Sequence, residues 1–246
     1  MPGTVFIALM LSFIAAAGHC APAAKELDGY VINQACRLTG DCDLLVSKAG
    51  ARLTYRKTGV VNLFVPPYKE IICFNPATRT ICRAPAAKFT NFAGKSMAMF
   101  TFTIEDAQLE PAGKVKKFGF QLQKLVTTKA YEFSQAAKRS RNELSASAPA
   151  SLFILGATAP DITSEPRLGL FLQRAHCLPP CNLFPLEVES RSMAKGMIHY
   201  LVTKQVKADR IAAANFSVPQ GYRPVKNMQA LLETDSSEAA IQMIVP

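Results

Sequence analysis

The residues best able to do chemistry in this 246-residue chain are seven cysteines and three histidines, His19, His176 and His199. Their densest grouping is His176-Cys177-Leu178-Pro179-Pro180-Cys181. Two thiols beside an imidazole can bind copper or zinc, or cycle between dithiol and disulfide while the imidazole lowers the pKa of the first thiol. Three donors fall short of a full zinc set, and thioredoxin-type motifs place two residues, not three, between their cysteines. The other reading is structural: a disulfide between Cys177 and Cys181 that closes a small loop at a helix end.

Four further cysteines pair at short range, Cys36 with Cys42 and Cys73 with Cys82. The second pair has a geometric basis. Residues 69–74 (KEIICF) and 79–83 (RTICR) flank the turn signal Asn75-Pro76-Ala77-Thr78, which predicts a hairpin with Phe74 opposite Ile81 and Cys73 opposite Cys82. Directly opposed residues share a face of the sheet, so the two sulfurs can meet; buried free thiols are the alternative. Cys36 to Cys42 is expected as a third disulfide, with Gly40 between them and no strand register to fix it.

No further reaction is named. G-x-S-x-G, the P-loop, G-x-G-x-x-G and H-E-x-x-H are all missing, so the expectation is a non-enzymatic protein with no metal or cofactor. Glu187 and Glu189 share one strand face and read as surface carboxylates, and His199, beside Tyr200, reads as structural. The net charge is +10, and it sits toward the N-terminal half: +6 over residues 24–103, +3 over 104–145 and +1 over 146–246. Between Lys48 and Lys95 the acidic residue is Glu70 alone, and Arg52 and Arg56 share a strand face. An exposed basic face of this kind attracts anionic membrane surfaces; the lack of a binding motif argues against nucleic acid.

An export signal accounts for the N-terminus. Residues 5–17 (VFIALMLSFIAAA) form an apolar stretch of signal length, and Ala21-Pro22-Ala23 fits a cleavage site, which makes residues 1–23 a signal peptide and the location the periplasm or cell envelope. The leading MPGT carries no Lys or Arg, and His19 stands before Cys20 where lipidation needs a small residue. An exported chain with an even number of remaining cysteines favours disulfides. No apolar run reaches the roughly eighteen residues of a membrane-spanning helix.

The elements that must position these residues are mostly strands. Residues 43–47, 51–57 and 60–65 are short β-rich runs that join the cysteine hairpin in a five-stranded meander. Residues 118–126, 130–133, 184–191 and 197–207 read as later strands; in FPLEVESR, Phe184, Leu186 and Val188 alternate with Glu187, Glu189 and Arg191, as in a sheet with one wet face. Two helices are expected. One, over 86–100, sets Phe89, Phe92, Met97 and Phe100 on one side, to cover the sheet or line an apolar pocket; the other, over 168–175, leads into the Cys177–Cys181 loop. Residues 136–149 read as an exposed loop or linker, and 227–246 as a short helix and tail.

The succession ARLTYRKTGVVNLFVPPYKEIICFNPATRTICRAP, a helix, further strands and HYLVTKQVKADRIAAANFSVPQGYRPV resembles the extracytoplasmic half-barrel proteins of the LolA/LppX kind, the outer-membrane lipoprotein carriers and their relatives. The resemblance rests on the KEIICFNPATRTI hairpin and on Phe216-Ser217-Val218-Pro219-Gln220-Gly221-Tyr222, where Gly221 allows a positive-φ turn and Phe216 and Tyr222 can pack back on the sheet. It spans roughly residues 27–226 and implies a mainly β (α+β) domain over 24–226: a curved antiparallel half-barrel wrapped around one or two helices. It also implies a carrier that shelters a lipid or acyl chain, here against Phe89, Phe92, Met97 and Phe100. The six mature cysteines depart from that pattern, and the alternative function is thiol redox or copper handling by Cys177 and Cys181.

Overall fold

The structure, a computed structural model, describes residues 25–89, 91, 109–127, 149–158, 161–163, 165–178, 180–192 and 196–232. Six strands come first: β1 (Glu26–Cys36), β2 (Gly40–Ser47), β3 (Gly50–Tyr55), β4 (Val61–Phe64), β5 (Glu70–Asn75) and β6 (Thr80–Pro85). After them come β7 (Glu110–Lys117), β8 (Phe120–Thr127), β9 (Pro149–Thr158), helix α1 (Arg167–Ala175), β10 (Leu183–Ser192), β11 (Gly196–Ala212) and the two-residue β12 (Arg223–Pro224). All twelve strands form one sheet in the order β12-β6-β5-β4-β3-β2-β1-β11-β10-β9-β8-β7. Every pairing is antiparallel except β12 with β6, and the sheet is open. The mainly β fold read from the sequence is therefore the observed one.

The sheet is strongly curved. Tyr30 on β1 and Phe120 on β8 stand in edge contact, ring centroids 5.5 Å apart, although β11, β10 and β9 lie between their strands. In a flat sheet four strand steps span about 19 Å. Curling brings both ends of that span onto one concave side, where α1 sits. Leu168, Phe171, Leu172 and Ala175 of α1 are buried among Leu44, Leu53, Phe64, Phe184 and Leu186, with Phe171 stacked on Phe64 at 5.3 Å. At Gly169 the helix backbone lies so close to β10 that a β-carbon there would stand 2.7 Å from the Leu183 carbonyl oxygen. Any side chain at that position would push α1 off the sheet.

The meander alternates between two cores. Ile71 and Cys73 face the concave side, while Val61, Leu63, Ile72 and Phe74 face the convex side under the C-terminal segment. There the segment behaves as the sequence predicts: Gly221 has φ +70°, Phe216 is buried, and Tyr222 meets Phe74 edge-on at 5.8 Å. The hairpin register is likewise Cys73 opposite Cys82 and Phe74 opposite Ile81.

The helix expected from Ala86 begins otherwise. Residues 86–88 make a single 3-10 turn that ends in extended backbone at Phe89 (φ −65°, ψ 129°). Tertiary bonds draw the backbone out of a regular helix: the Ala86 amide donates to the Lys69 carbonyl, and the Arg174 guanidinium donates to the Ala86 carbonyl. Residues 90 and 92–100, with Phe92, Met97 and Phe100, lie outside the described residues, as do the expected signal peptide over 1–23, the strand expected at 130–133, residues 136–148 and the tail beyond 232.

Candidate functional site

The end of α1 determines where His176 points. Helix termination takes the full form in which the Cys177 amide donates to the Arg174 carbonyl and the Leu178 amide to the Gln173 carbonyl, with Cys177 left-handed at φ +56°. Glycine is the usual occupant of that position, and a residue with a β-carbon costs about 1–2 kcal/mol there. The reversal sets the places of His176 and Cys181. His176 turns inward and is 1% exposed. Cys181 returns to the side of Gln173, a fully buried residue whose Nε2 donates to the carbonyls of Cys181 and Leu183, both at 2.7 Å, and reaches the Cys181 sulfur at 3.2 Å. The Gln173 Oε1 accepts from the Cys181 amide at 2.9 Å. The loop is thus laced by an amide side chain.

The loop stays close to the end of β1: Leu178 and Cys181 pack against the apolar cluster that contains Cys36. The His176 imidazole lies against Cys36 at the end of β1, a strand absent from the sequence reading, and neither ring nitrogen makes a hydrogen bond of ordinary geometry. Burial alone would raise the Cys36 thiol. The neighbouring His176, with help from Thr39 and the Leu38 backbone, outweighs it and lowers the pKa from 9.0 to about 7. Cys42, on the same face, behaves in the opposite way: burial and the neighbouring Cys36, Asp43 and Asp41 push it up to about 12. Burial also pushes Cys181 up.

Tyr55 closes the floor of this cluster. Its hydroxyl accepts from Asn62 Nδ2 at 3.1 Å and Asn91 Nδ2 at 2.7 Å, and Asn91 also donates to the Ala175 carbonyl at 2.7 Å. Complete burial, then the nearby Cys42, Cys36, Cys73 and Cys177, hold the phenol well above its usual pKa.

Cys36, Cys42, Cys73, Cys82 and Cys181 carry free thiols in the structure. Cys73 and Cys82 are directly opposed, and Cys73 donates to the Cys82 sulfur, which raises the Cys73 pKa and lowers that of Cys82. Cys36 faces Gly40 while Cys42 faces Gln34, so these two are diagonal. Diagonal partners stand about 7–8 Å apart, beyond the span a disulfide bridges without backbone movement. Among the described residues no three His, Cys, Asp or Glu side chains converge as a metal site.

Of the expected apolar-ligand residues, Phe89 is described. It is 3% exposed in the concave core, its ring 6.4 Å from that of Phe171. The basic face is partly occupied: Arg56 makes a two-point pair with Asp43 (2.6 and 2.8 Å), and Arg52 donates to Asn215 and lies over Phe74. His199, expected to be structural, is instead exposed and paired with Glu189 at 3.0 Å, because the β10–β11 register sets the two opposite. Glu187 pairs with Lys117 at 2.5 Å.

No family model matches the chain, and no curated protein matches it. Among solved structures the chain is similar to an uncharacterized conserved protein from Thermus thermophilus, with 12% identity and a TM-score of 0.41 over 83% of this chain and 92% of that one. It is also remotely similar to a domain described as an outer membrane lipoprotein-sorting protein from Vibrio parahaemolyticus, with 10% identity and a TM-score of 0.22 over 75% of this chain and 84% of that one.

Proposed function

We propose that the protein is an exported, non-enzymatic carrier that holds an apolar ligand, a lipid or acyl chain, between its curved sheet and the segment that follows Phe89. The observation that supports this reading is the trough itself. The sheet curls far enough for β1 to meet β8, and on its concave side the described chain packs one nine-residue helix together with Phe89, Ile162 and Leu231. Phe89 enters that side against Phe171 at the point where the segment carrying Phe92, Met97 and Phe100 begins. Exposed lysines of the N-terminal half would steer such a carrier toward anionic membrane surfaces in the cell envelope.

The alternative is redox or copper chemistry at Cys177 and Cys181, where Gln173 Nε2 stands 3.2 Å from the Cys181 sulfur. Native mass spectrometry of protein purified from its own envelope tests the carrier directly, with a bound lipid expected. If Phe92 lines the ligand, Phe92→Glu sets a carboxylate against an apolar chain, where ionisation is costly, and should sharply reduce recovered lipid. Cys177→Ser with Cys181→Ser should leave the lipid in place. A Phe92→Glu protein that folds and keeps its full lipid content would remove the carrier reading.

A further inference from the structure

Sheltering an apolar chain makes no use of the edge where the sheet ends in β12. The C-terminal segment reaches that edge across the convex face and straps it. The Arg223 amide donates to the Arg79 carbonyl and the Val225 amide to the Ile81 carbonyl, both at 2.8 Å, and the Asn75 side chain donates to the Leu231 carbonyl at 2.9 Å. Arg79 is itself held in place. It ends the β5–β6 turn at φ +50°, its guanidinium lies over the Tyr222 ring at 6.0 Å, and a β-carbon on Gly221 would stand 3.4 Å from its Nη2. Arg79, Arg223 and Lys226 are thereby gathered at one corner, all three exposed.

Three observations mark this corner. Residues 71–89 and 210–232, which build it, contain no Asp or Glu. Arg79, Arg223 and Lys226 have no ion-pair partner among the described residues, whereas Arg56, Arg83, Lys204 and Arg210 are paired. The strap also forms an open recess of about 700 Å³, lined by Arg223, Lys226, Asn227 and Gln229. We propose that this corner docks the protein on an anionic bilayer, with Arg79, Arg223 and Lys226 meeting lipid phosphates. The proposal names the partner surface of the carrier and rests on that reading. Guanidinium forks match phosphate oxygens, and unpaired bases give up no protein partner on docking. Leu231 of the same strap is fully buried in the concave core, so the bilayer would meet an element that borders the ligand space.

The test is flotation of the mature chain with vesicles of phosphatidylglycerol and phosphatidylcholine, against vesicles of phosphatidylcholine alone. Binding to the anionic vesicles is expected, and it should weaken as salt is raised. Each base at the surface contributes about fivefold, so Arg223→Gln with Lys226→Gln, both exposed positions, should weaken binding about thirtyfold. Lys114→Gln with Lys116→Gln removes the same charge from β7, at the other edge of the sheet, and should change binding by less than about twofold. Two results overturn the proposal: an unaltered protein that binds anionic vesicles no better than neutral ones, or β7 substitutions that weaken binding as much as those in the strap. Native mass spectrometry of the same preparations keeps the carrier reading separate. Protein that holds lipid yet ignores anionic vesicles removes the docking corner alone, and protein that docks while holding no lipid upholds the corner and removes the carrier.

Discussion

Replacing Gln173 with leucine keeps side-chain volume roughly constant and removes the lacing of the loop after α1. The substitution strips partners from three backbone groups: the Cys181 carbonyl, the Leu183 carbonyl and the Cys181 amide. A buried polar group left unpaired costs about 1–3 kcal/mol. Cys181 is half-buried, so water can replace part of its loss, whereas Leu183 is 5% exposed. The expected destabilisation is about 3 kcal/mol, which for a domain of this size lowers Tm by about 6–12 °C. Urea and thermal unfolding followed by circular dichroism, with and without reductant, measure it. If Gln173→Leu changes stability by less than about 1 kcal/mol while reductant alone destabilises the unaltered protein by more, a Cys177–Cys181 bond closes the loop and the glutamine argument is wrong.

Protein recovered from an oxidising compartment should give a Cys73–Cys82 cross-linked peptide on non-reducing mapping, since the register already opposes these residues; free thiols at both would count against export as well. Hydrogen bonds from Arg56, then Asn33, hold the Asp43 carboxyl below its usual pKa. A depressed folded pKa contributes stability that is present above the unfolded value of about 3.9 and is lost as pH falls through the folded value. Asp43→Asn should therefore lower the urea midpoint slightly at pH 6 and not at pH 2, and an equal loss at both would refute the assignment. On the convex side, Phe74→Ala should cost about 3–4 kcal/mol and Tyr222→Ala about 1–2, since Phe74 is 4% exposed and Tyr222 only half-buried. A Tyr222→Ala midpoint equal to that of the unaltered protein would mean that the C-terminal segment does not hold the convex face.

The meander was legible because its turns and side-chain alternation are local. Strands β2 to β6 follow one another in both sequence and sheet, each joined to the next by a short turn, so the period of two gives the strands and the turns give the register. The strands missed are those where local pattern and tertiary role diverge. Strand β1 sits mid-sheet and carries Gly29, where a β-carbon would lie 2.2 Å from the Val46 carbonyl oxygen, and a register shift at Asn33/Gln34, so its apolar residues do not alternate cleanly. Strand β7 is exposed along its whole length and is held to β8 by backbone pairing, which leaves no hydrophobic signature. Strand β9 begins at the end of a serine-rich stretch that reads as loop.

The pairing of His176 with Cys36 was out of reach for a different reason. Adjacency in sequence put His176, Cys177 and Cys181 into one centre, but successive side chains at a helix end diverge by about 100°, and a left-handed residue then reverses the chain. Adjacency in sequence there does not decide which thiol the imidazole of His176 meets. What joins it to Cys36 is topology: β11 returns to pair with β1, which draws the first strand into the middle of the sheet, and β10 beside β11 holds α1 through the close approach at Gly169. The imidazole meets the cysteine at the end of β1 because three strands and one helix have been assembled around that point.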